Sequence, residues 1–473
     1  MIRRTIGQLA AMCGATLNGA ADTGRDRPVT GVSRDSRQLP AGCLYVPIIG
    51  ERFDGHDYAE AAFAAGAAAA LWQTDHPVPE ALADRPLLLV EDSLRALQTL
   101  ARAYRRELGV RVVGITGSNG KTTTKDLTAA MLAASYRVHK TIGNLNNHIG
   151  LPITILEMDE TIECAVLEMG MSGFGEIELL TGTAEPDVAV ITNIGDAHMQ
   201  QLGSREGIAK AKLEIASGLK SGGLLLINGD EPLLTEGVRG LPNIGELQVQ
   251  TFGLGEGNDW SAGSIVIGAK ESAFTVRAAA PESAAGLAGA FRIPVPGKHN
   301  VSNALSAVAV GRRFGLTAGQ IRDGLAAVKL TSMRIETVIA HNGATILNDA
   351  FNANPTAVRA ALELVGELTG FGRKWIVLGD MLELGPDEAR MHLETGEAIG
   401  PETADFVLTY GERSRRTSEG AAKRLGPDKA AHFEDKHALG EYLRSRLAPG
   451  DLVLVKGSRG MRMEEIVQAL QGS

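Results

Sequence analysis

Apolar residues recur with two different periods along this chain, and each change of period marks an exchange of strand for helix. Residues 112–116, 164–168, 188–193 and 223–228 are short apolar runs, too short for helices, and read as buried strands. After the first of them Leu127, Ala130, Met131 and Ala134 recur three and four residues apart, the spacing that lines one face of a helix. Strands alternating with helices predict a largely parallel sheet whose ligands meet the C-terminal strand ends. Two helices, 301–314 and 317–328, close that region. The stretch before it differs, with a helical pattern over 6–12 and then strand and turn signals around 29–46. Beyond Lys329 the alternation restarts, with strands over 335–339, 345–348, 375–378, 406–409 and 452–456 and a helix over 357–368. The pattern predicts an α/β protein in three domains, residues 1–108, 109–329 and 330–473, without internal repeats.

Composition narrows this picture. At 473 residues the chain exceeds what one core serves, and 44% hydrophobic residues are enough for several. Aromatics are only 4%, which suits helices packed closely on sheets better than a β-sandwich. The formal net charge of -9 and a pI near 5.7 argue against nucleic acid as a partner. No stretch approaches the ~18 apolar residues of a membrane span, and no apolar leader follows Met1, so a cytoplasmic protein without stable membrane insertion is expected. Cys13, Cys43 and Cys164 lack metal-ligand spacing and read as free thiols in a reducing compartment.

Chemistry concentrates in Gly114-Ile115-Thr116-Gly117-Ser118-Asn119-Gly120-Lys121-Thr122-Thr123. A glycine loop between a strand and a helix N-terminus offers unpaired N–H groups to phosphate, Lys121 supplies a point charge, and the Thr122 hydroxyl suits Mg2+. The loop is a shortened variant, because the usual glycine five positions before Gly120 is replaced by Ile115. Glu168, His198 and Lys212, the last on a helix predicted over 208–219, fall at the ligand edge of the same sheet. Taken singly, His198 reads as a packing or surface residue and Lys212 as a solvated helix lysine. The polar loops 33–37 and 50–56 read singly as solvated loops.

The set carries more than its members. Thr116 to Thr123, Gly143-Asn144-Leu145-Asn146-Asn147-His148-Ile149-Gly150, Leu167-Glu168-Met169-Gly170, Asn193-Ile194-Gly195-Asp196-Ala197-His198, Ala211-Lys212, Gly297-Lys298-His299-Asn300-Val301-Ser302-Asn303-Ala304 and Met333-Arg334 together resemble the Mur ligase family, in the family's order and across all three domains. That resemblance implies an N-terminal domain for a UDP-linked substrate, a central P-loop ATPase domain, a Rossmann-like C-terminal domain, ATP and Mg2+ as cofactors, and amide formation through an acyl phosphate. Residues 50–57, 348–355, 378–385 and 455–459 further resemble members that add D-alanyl-D-alanine to UDP-N-acetylmuramoyl-tripeptide, and the Asp-Asn-Pro-Arg signature of the preceding step is absent. One departure is visible: Asp349-Ala350-Phe351-Asn352-Ala353-Asn354-Pro355 has alanine and phenylalanine where the family has serine and tyrosine, which puts direct polar roles there in doubt.

Roles follow by resemblance. Gly117, Ser118, Asn119, Gly120, Lys121, Thr122 and Thr123 would cradle ATP, with Lys121 on the β- and γ-phosphates. Thr122 and Glu168 would serve one Mg2+, and His198 with Lys212, the latter as a carbamate, a second. Asn300, with Asn303 near it, would meet adenine, Asp349 the ribose, and Arg334 would reach the phosphates from the C-terminal domain, which requires domain closure. Ser36, Arg37, Phe53, Gly55 and His56 would contact the uridine diphosphate end, and Asn144, Asn146 and Asn147 the acceptor. Asn352, Asn354, Lys456 and Arg459 are the candidates for the dipeptide. The resemblance also implies a monomer, with another Mur step or a folylpolyglutamate synthase-like ligase as the alternative enzymes and a nucleotide switch as the non-enzyme alternative.

Overall fold

A computed structural model gives the fold and describes residues 1–196 and 198–472. Three main sheets follow one another along the chain. The first has five short strands in the order Thr16–Leu17, Leu87–Val90, Ala69–Gln73, Leu44–Tyr45, Val32–Ser33, parallel except for the first pair. The second has nine, ordered Ala290–Ile293, Ser272–Ala278, Trp260–Ile267, Gln248–Gly253, Leu224–Asn228, Val188–Ile191, Arg111–Thr116, Cys164–Glu168, Val138–Lys140. The third has six, ordered Glu336–Ile339, Thr345–Asp349, Leu452–Lys456, Lys374–Gly379, Phe406–Tyr410, Ala430–Phe433, with only its first pair antiparallel.

The strand Arg111–Thr116 lies in the interior of the second sheet between Cys164–Glu168 and Val188–Ile191, parallel to both. The connection leaving it runs toward Val138–Lys140 and the one leaving Val188–Ile191 toward Leu224–Asn228 on the other side, and at such a switch the strand ends part to leave a crevice. Its alternating side chains are buried on both faces. Val113 and Ile115 join a cluster that continues into the third sheet through Leu347 and Leu454, while Val112 joins one that includes Ile2, Leu9 and Leu97. The apolar clusters therefore cross from sheet to sheet, and each flanking sheet braces one side of the second.

Two expectations are corrected. The helix carrying Lys212 is Arg205–Leu213, not 208–219: Ser204 caps its start by accepting the Gly207 N–H at 3.2 Å, and after Leu213 the chain tightens into the 3-10 turn Glu214–Gly218. That turn swings the Glu214 carboxylate back to accept the N–H groups of Gly175 and Glu178 at the head of the helix Glu176–Ala184. The strands between Gln248 and Ile293 were not foreseen, because the outer ones alternate apolar and polar positions and carry no continuous apolar run. Among the described residues no helix is long and apolar enough to cross a membrane, and all three cysteines are buried and unpaired.

Candidate active site

The phosphate loop turns from the strand Arg111–Thr116 into the helix Lys121–Leu132. Gly120 precedes the helix at φ 80°, and a Cβ there would stand 2.7 Å from Asn303 Oδ1, so glycine is required by both backbone and space. The end of the neighbouring strand braces the loop. The Ser118 N–H donates to the Asn193 carbonyl at 3.0 Å, the Asn119 N–H to Asn193 Oδ1 at 2.9 Å, and the Thr192 hydroxyl to the Asn119 carbonyl. Lys121 Nζ donates to the Gly117 carbonyl at 2.7 Å, curled over its own loop.

Beside the loop the Thr122 hydroxyl donates to Glu168 Oε2 at 3.0 Å and the Asn146 amide to Glu168 Oε1 at 2.9 Å, with Thr122 and Glu168 both buried. Glu168 closes its strand with its N–H on Thr141 Oγ1 at 2.9 Å. Lys212 is 2% exposed, and its ammonium nitrogen has no hydrogen-bond or ion-pair partner among the described residues. Burial, with Lys121 adding repulsion, pushes its pKa well below the ordinary lysine value. Burial also lowers Lys121, with Glu168 opposing and Arg334 adding. His198, at φ 63° ahead of the helix Met199–Leu202, is lowered to about 4 by burial and then by Lys121 and Lys212, and is neutral at pH 7. The largely exposed Glu383 carboxylate approaches its Nδ1 to 3.3 Å. A neutral imidazole can give its lone pair to a metal or to the proton of an ammonium.

The far wall comes from beyond residue 330. Arg334 is half-buried, donates from Nη2 to Thr122 Oγ1 at 3.2 Å, and lies 4.0 Å from the centre of the Phe351 ring. Its neighbours Met333 and Ile335 have φ of 61° and 54°. Left-handed backbone at non-glycine residues costs about 1–3 kcal/mol each, and a β-branched residue there is a real outlier, so Arg334 is presented by a strained bend. Asn119 and Asn354 exchange amide hydrogen bonds at 2.8 and 3.3 Å, and the Thr356 hydroxyl donates to Asp196 Oδ2 at 2.8 Å. These contacts close a cavity of about 610 Å³ lined by Ser118, Asn119, Gly120, Lys121, Thr122, Thr123, Asn144, Asn146, Asn147, Glu168, His198, Lys212, Asn300, Asn303, Arg334, Asp349, Asn352 and Lys456, among others.

Comparison with known proteins agrees with this geometry. Three family models match in sequence: the Mur ligase family catalytic domain over residues 28–105, the Mur ligase middle domain over 115–311, and the Mur ligase glutamate ligase domain over 333–459. A Bacillus subtilis protein named UDP-N-acetylmuramoyl-tripeptide--D-alanyl-D-alanine ligase is 48% identical over 470 residues, 99% of either chain. This chain belongs to the Mur ligase family. Among solved structures it superposes on MurF from Acinetobacter baumannii with a TM-score of 0.88 at 28% identity over the whole of both chains. On a MurF ligase from Thermotoga maritima in complex with ADP the TM-score is 0.81 at 28% identity, covering 94% of this chain and 97% of that one.

In this Mur ligase several residues are placed otherwise than the sequence led one to expect. Asn354 lies outside the cavity lining; it holds Asn119 and caps the helix Pro355–Glu367 by accepting the Ala357 N–H at 2.9 Å. Lys456 forms a buried ion pair with Asp349 and donates to the Asn352 carbonyl at 2.9 Å, so the group expected at the dipeptide holds the group expected at the ribose. Arg459 points away and pairs with Glu464 at 2.6 Å; of the four dipeptide candidates Asn352 and Lys456 line the cavity, Lys456 with its ammonium already engaged. Asn147 lines it too, yet its Oδ1 already accepts the N–H groups of Ile149 at 3.2 Å and Gly150 at 2.9 Å, where the helix Gly150–Leu156 starts. Gly117 lies beneath the loop against Thr192.

None of the N-terminal candidates reaches the cavity. Ser36 opens the short 3-10 helix Ser36–Gln38, Arg37 is exposed and paired with Asp35 at 2.8 Å, and Phe53 is exposed. Gly55 packs its backbone against Ile48, where a Cβ would meet the Ile48 nitrogen at 2.5 Å. His56 is buried in its own domain, where its Nδ1 lies 2.7 Å from Asp54, its Nε2 accepts the Gln73 N–H at 3.3 Å, and its ring stacks on His76. With that lone pair engaged and Nδ1–H on Asp54, His56 is a structural donor rather than a ligand-facing base. Sequence reasoning also missed Phe351 as the platform of Arg334, since it weighed only the lost tyrosyl hydroxyl, and Thr192 as a brace, which no motif spacing signals.

Proposed function

We propose that this Mur ligase joins D-alanyl-D-alanine to UDP-N-acetylmuramoyl-tripeptide in the cytoplasm, activating the tripeptide's terminal carboxylate with ATP. The observation that carries it is Arg334, which crosses from the third sheet's region to the phosphate loop at 3.2 Å and completes a wall that a simple nucleotide switch does not need. The full-length similarity to a named D-alanyl-D-alanine ligase favours this step over other Mur steps and over a folylpolyglutamate synthase. The division after residues 108 and 329 belongs to the same reading: UDP end on the first sheet, ATP on the second, dipeptide on the third. Lys121 and Arg334 meet at the loop within one chain, which supports a monomer as the working unit.

The chemistry follows from charge. A carboxylate is a poor electrophile, so an acceptor oxygen attacks the γ-phosphorus, ADP leaves, and the acyl phosphate is then attacked by the dipeptide's amine with loss of phosphate. Lys121 and Arg334 would neutralise charge growing on the transferred group from opposite sides of the loop. Phe351 would hold the guanidinium flat, and its missing hydroxyl is no handicap for that. Asn300 and Asn303 would take the adenine end and Asp349 the ribose.

The Thr122 hydroxyl and Glu168 carboxylate, 3.0 Å apart at the loop, are oxygen donors of the kind Mg2+ asks for and fit such an ion. Bound there it would screen the β- and γ-phosphates. A second ion would draw on His198 and on Lys212 as a carbamate. Carbamylation consumes an unprotonated amine, and the burial of Lys212 shifts it toward that form.

The test is ADP release with each substrate omitted in turn. Turnover should require both the UDP-tripeptide and D-alanyl-D-alanine, and D-alanine, L-alanyl-L-alanine and free diaminopimelate should fail, because polar groups that meet the dipeptide would stay unpaired. Efficient use of diaminopimelate would move the chain to the preceding step, and ATP hydrolysis without acceptor would leave it a switch.

A further inference from the structure

The interdomain linker touches the phosphate-loop helix at two points. Thr122 and Asp126 lie four residues apart on the helix Lys121–Leu132, and hence on one face of it. Asp126 is 1% exposed, a position where a helix tolerates a carboxylate only when donors surround it. Its Oδ2 accepts both the N–H and the hydroxyl of Thr331 at 2.8 Å, and its Oδ1 accepts Lys140 Nζ at 2.6 Å, with Lys125 Nζ at 3.5 Å. Thr331 belongs to the connection between the helix Ala318–Ala326 and the strand Glu336–Ile339. Three residues further along that connection Arg334 returns to the same helix and reaches Thr122.

Between the two contacts the backbone turns through the left-handed residues Met333 and Ile335 that flank Arg334. A bend of this kind persists only if both its ends are held. On the C-terminal side Glu336 Oε2 accepts the Met333 N–H at 3.1 Å and the Asn348 amide at 3.3 Å. On the N-terminal side the hold on the helix is Thr331 on Asp126.

We propose that Asp126 is the positioning residue for Arg334: by clamping Thr331 to the phosphate-loop helix it keeps the bend strained and the guanidinium over the phosphates. Asp126 does not line the cavity, so it acts through the linker. The inference rests on the reading of Arg334 as the group that meets the transferred phosphate, and the experiment separates the two.

Steady-state ADP formation is measured on the full chain for Thr331→Val, Thr331→Ser, Asp126→Asn, Arg334→Ala and the doubles with Arg334→Ala, with the melting temperature of each. Thr331→Val removes one donor and leaves the buried carboxylate its N–H and lysine partners, so it should fold; its kcat should fall about 3–10-fold and that of Asp126→Asn about 10–50-fold, with the KM for the UDP-tripeptide unchanged. Thr331→Ser keeps the donor and should run at the wild-type rate. In the Arg334→Ala background Thr331→Val and Asp126→Asn should each change kcat less than about twofold, because residues acting as a unit are not additive. Losses that multiply in that background would reduce Asp126 to a structural residue and overturn the inference. So would wild-type kcat in Thr331→Val alongside an impaired Arg334→Ala, even if Asp126→Asn fails to fold. Wild-type kcat in Arg334→Ala itself would remove the reading of Arg334 and the inference with it.

Discussion

Replacing Gly117 by alanine should disable nucleotide binding while leaving the protein folded. Gly117 has φ +147°, and a Cβ on it would lie 1.8 Å from Thr192 Oγ1, 3.0 Å from Thr192 Cβ and 3.1 Å from the Thr192 nitrogen. Thr192 is 2% exposed, β-branched, and committed by its hydroxyl to the Asn119 carbonyl, so it has nowhere to retreat. Keeping the native loop would cost about 1–2 kcal/mol in backbone strain, about 1–3 in overpacking and about 1 for the Thr192 hydrogen bond. A total of about 3–6 kcal/mol charged to one loop corresponds to about 10²–10⁴-fold. The loop can escape by shifting outward, since its function lies in position and not in apolar burial. ADP affinity, read by calorimetry, should therefore fall at least about 100-fold while the melting temperature drops only a few degrees. Adding Thr192→Ala removes the shortest clash and should recover about tenfold, although alone it should weaken binding about fivefold through the lost brace. ADP affinity within about threefold of wild type in Gly117→Ala, or no recovery in the double variant, would refute the packing argument.

Three other outcomes are expected. Lys212→Ala should lose most ligase activity and regain part of it with formate or acetate but not with methylamine; rescue by the amine alone would make Lys212 a plain cation. Phe351→Tyr should keep full activity, while Phe351→Leu should lower kcat about 5–30-fold through a cation–π contact worth about 1–2 kcal/mol; equal rates for the two would deny the platform role. In the first domain Asp54 is held down to about 2, despite burial, by the His56 N–H, the His56 ring and the His76 ring, and buried His56 is lowered by desolvation. Both folded pKa values lie below the unfolded ones, so their stability is present above about pH 6.5 for His56 and about pH 3.9 for Asp54 and is lost as pH falls. His76 is raised by Asp75 and Asp54, and its contribution, full below about pH 6.5, is lost as pH climbs through its folded value. Thermal melting from pH 3 to 8 should show Asp54→Asn less stable at neutral pH and less sensitive below pH 4. A profile parallel to wild type would show that the cluster does not titrate this way.

What was legible in the sequence was what is local. The phosphate loop, the strands that frame it and the helix Lys298–Arg313 follow from runs of a few residues whose spacing states their geometry. Glu168, His198 and Lys212 were placed because strand ends gather ligands, and the cavity does bring them together. Contacts between segments far apart were not legible. Nothing in Asn354 announces Asn119, and nothing in Lys456 announces Asp349, because each pairing depends on how the third sheet docks against the second. Asp126 follows the same rule: a carboxylate on a helix packed into the core requires a buried partner without naming it. His56 misled for the opposite reason, since a motif histidine invites a ligand while its neighbours Asp54, Gln73 and His76 already use it up.

On the proposed roles of Asp349 and Lys121, the buried pair of Asp349 and Lys456 gives nucleotide binding the character of a trade. Asp349 and Lys456 end the adjacent parallel strands Thr345–Asp349 and Leu452–Lys456, and each satisfies the other. A sugar hydroxyl that approaches Asp349 shares a carboxylate already engaged, much as phosphate oxygens reaching Lys121 compete with the Gly117 carbonyl. Each new bond is set against an old one, so affinity grows slowly with the number of contacts and the fit of the whole ligand decides. A fragment such as adenosine would displace partners without replacing them all, whereas a nucleotide carrying every phosphate would settle the exchange at once. Discrimination between the two thus resides in groups that were never idle.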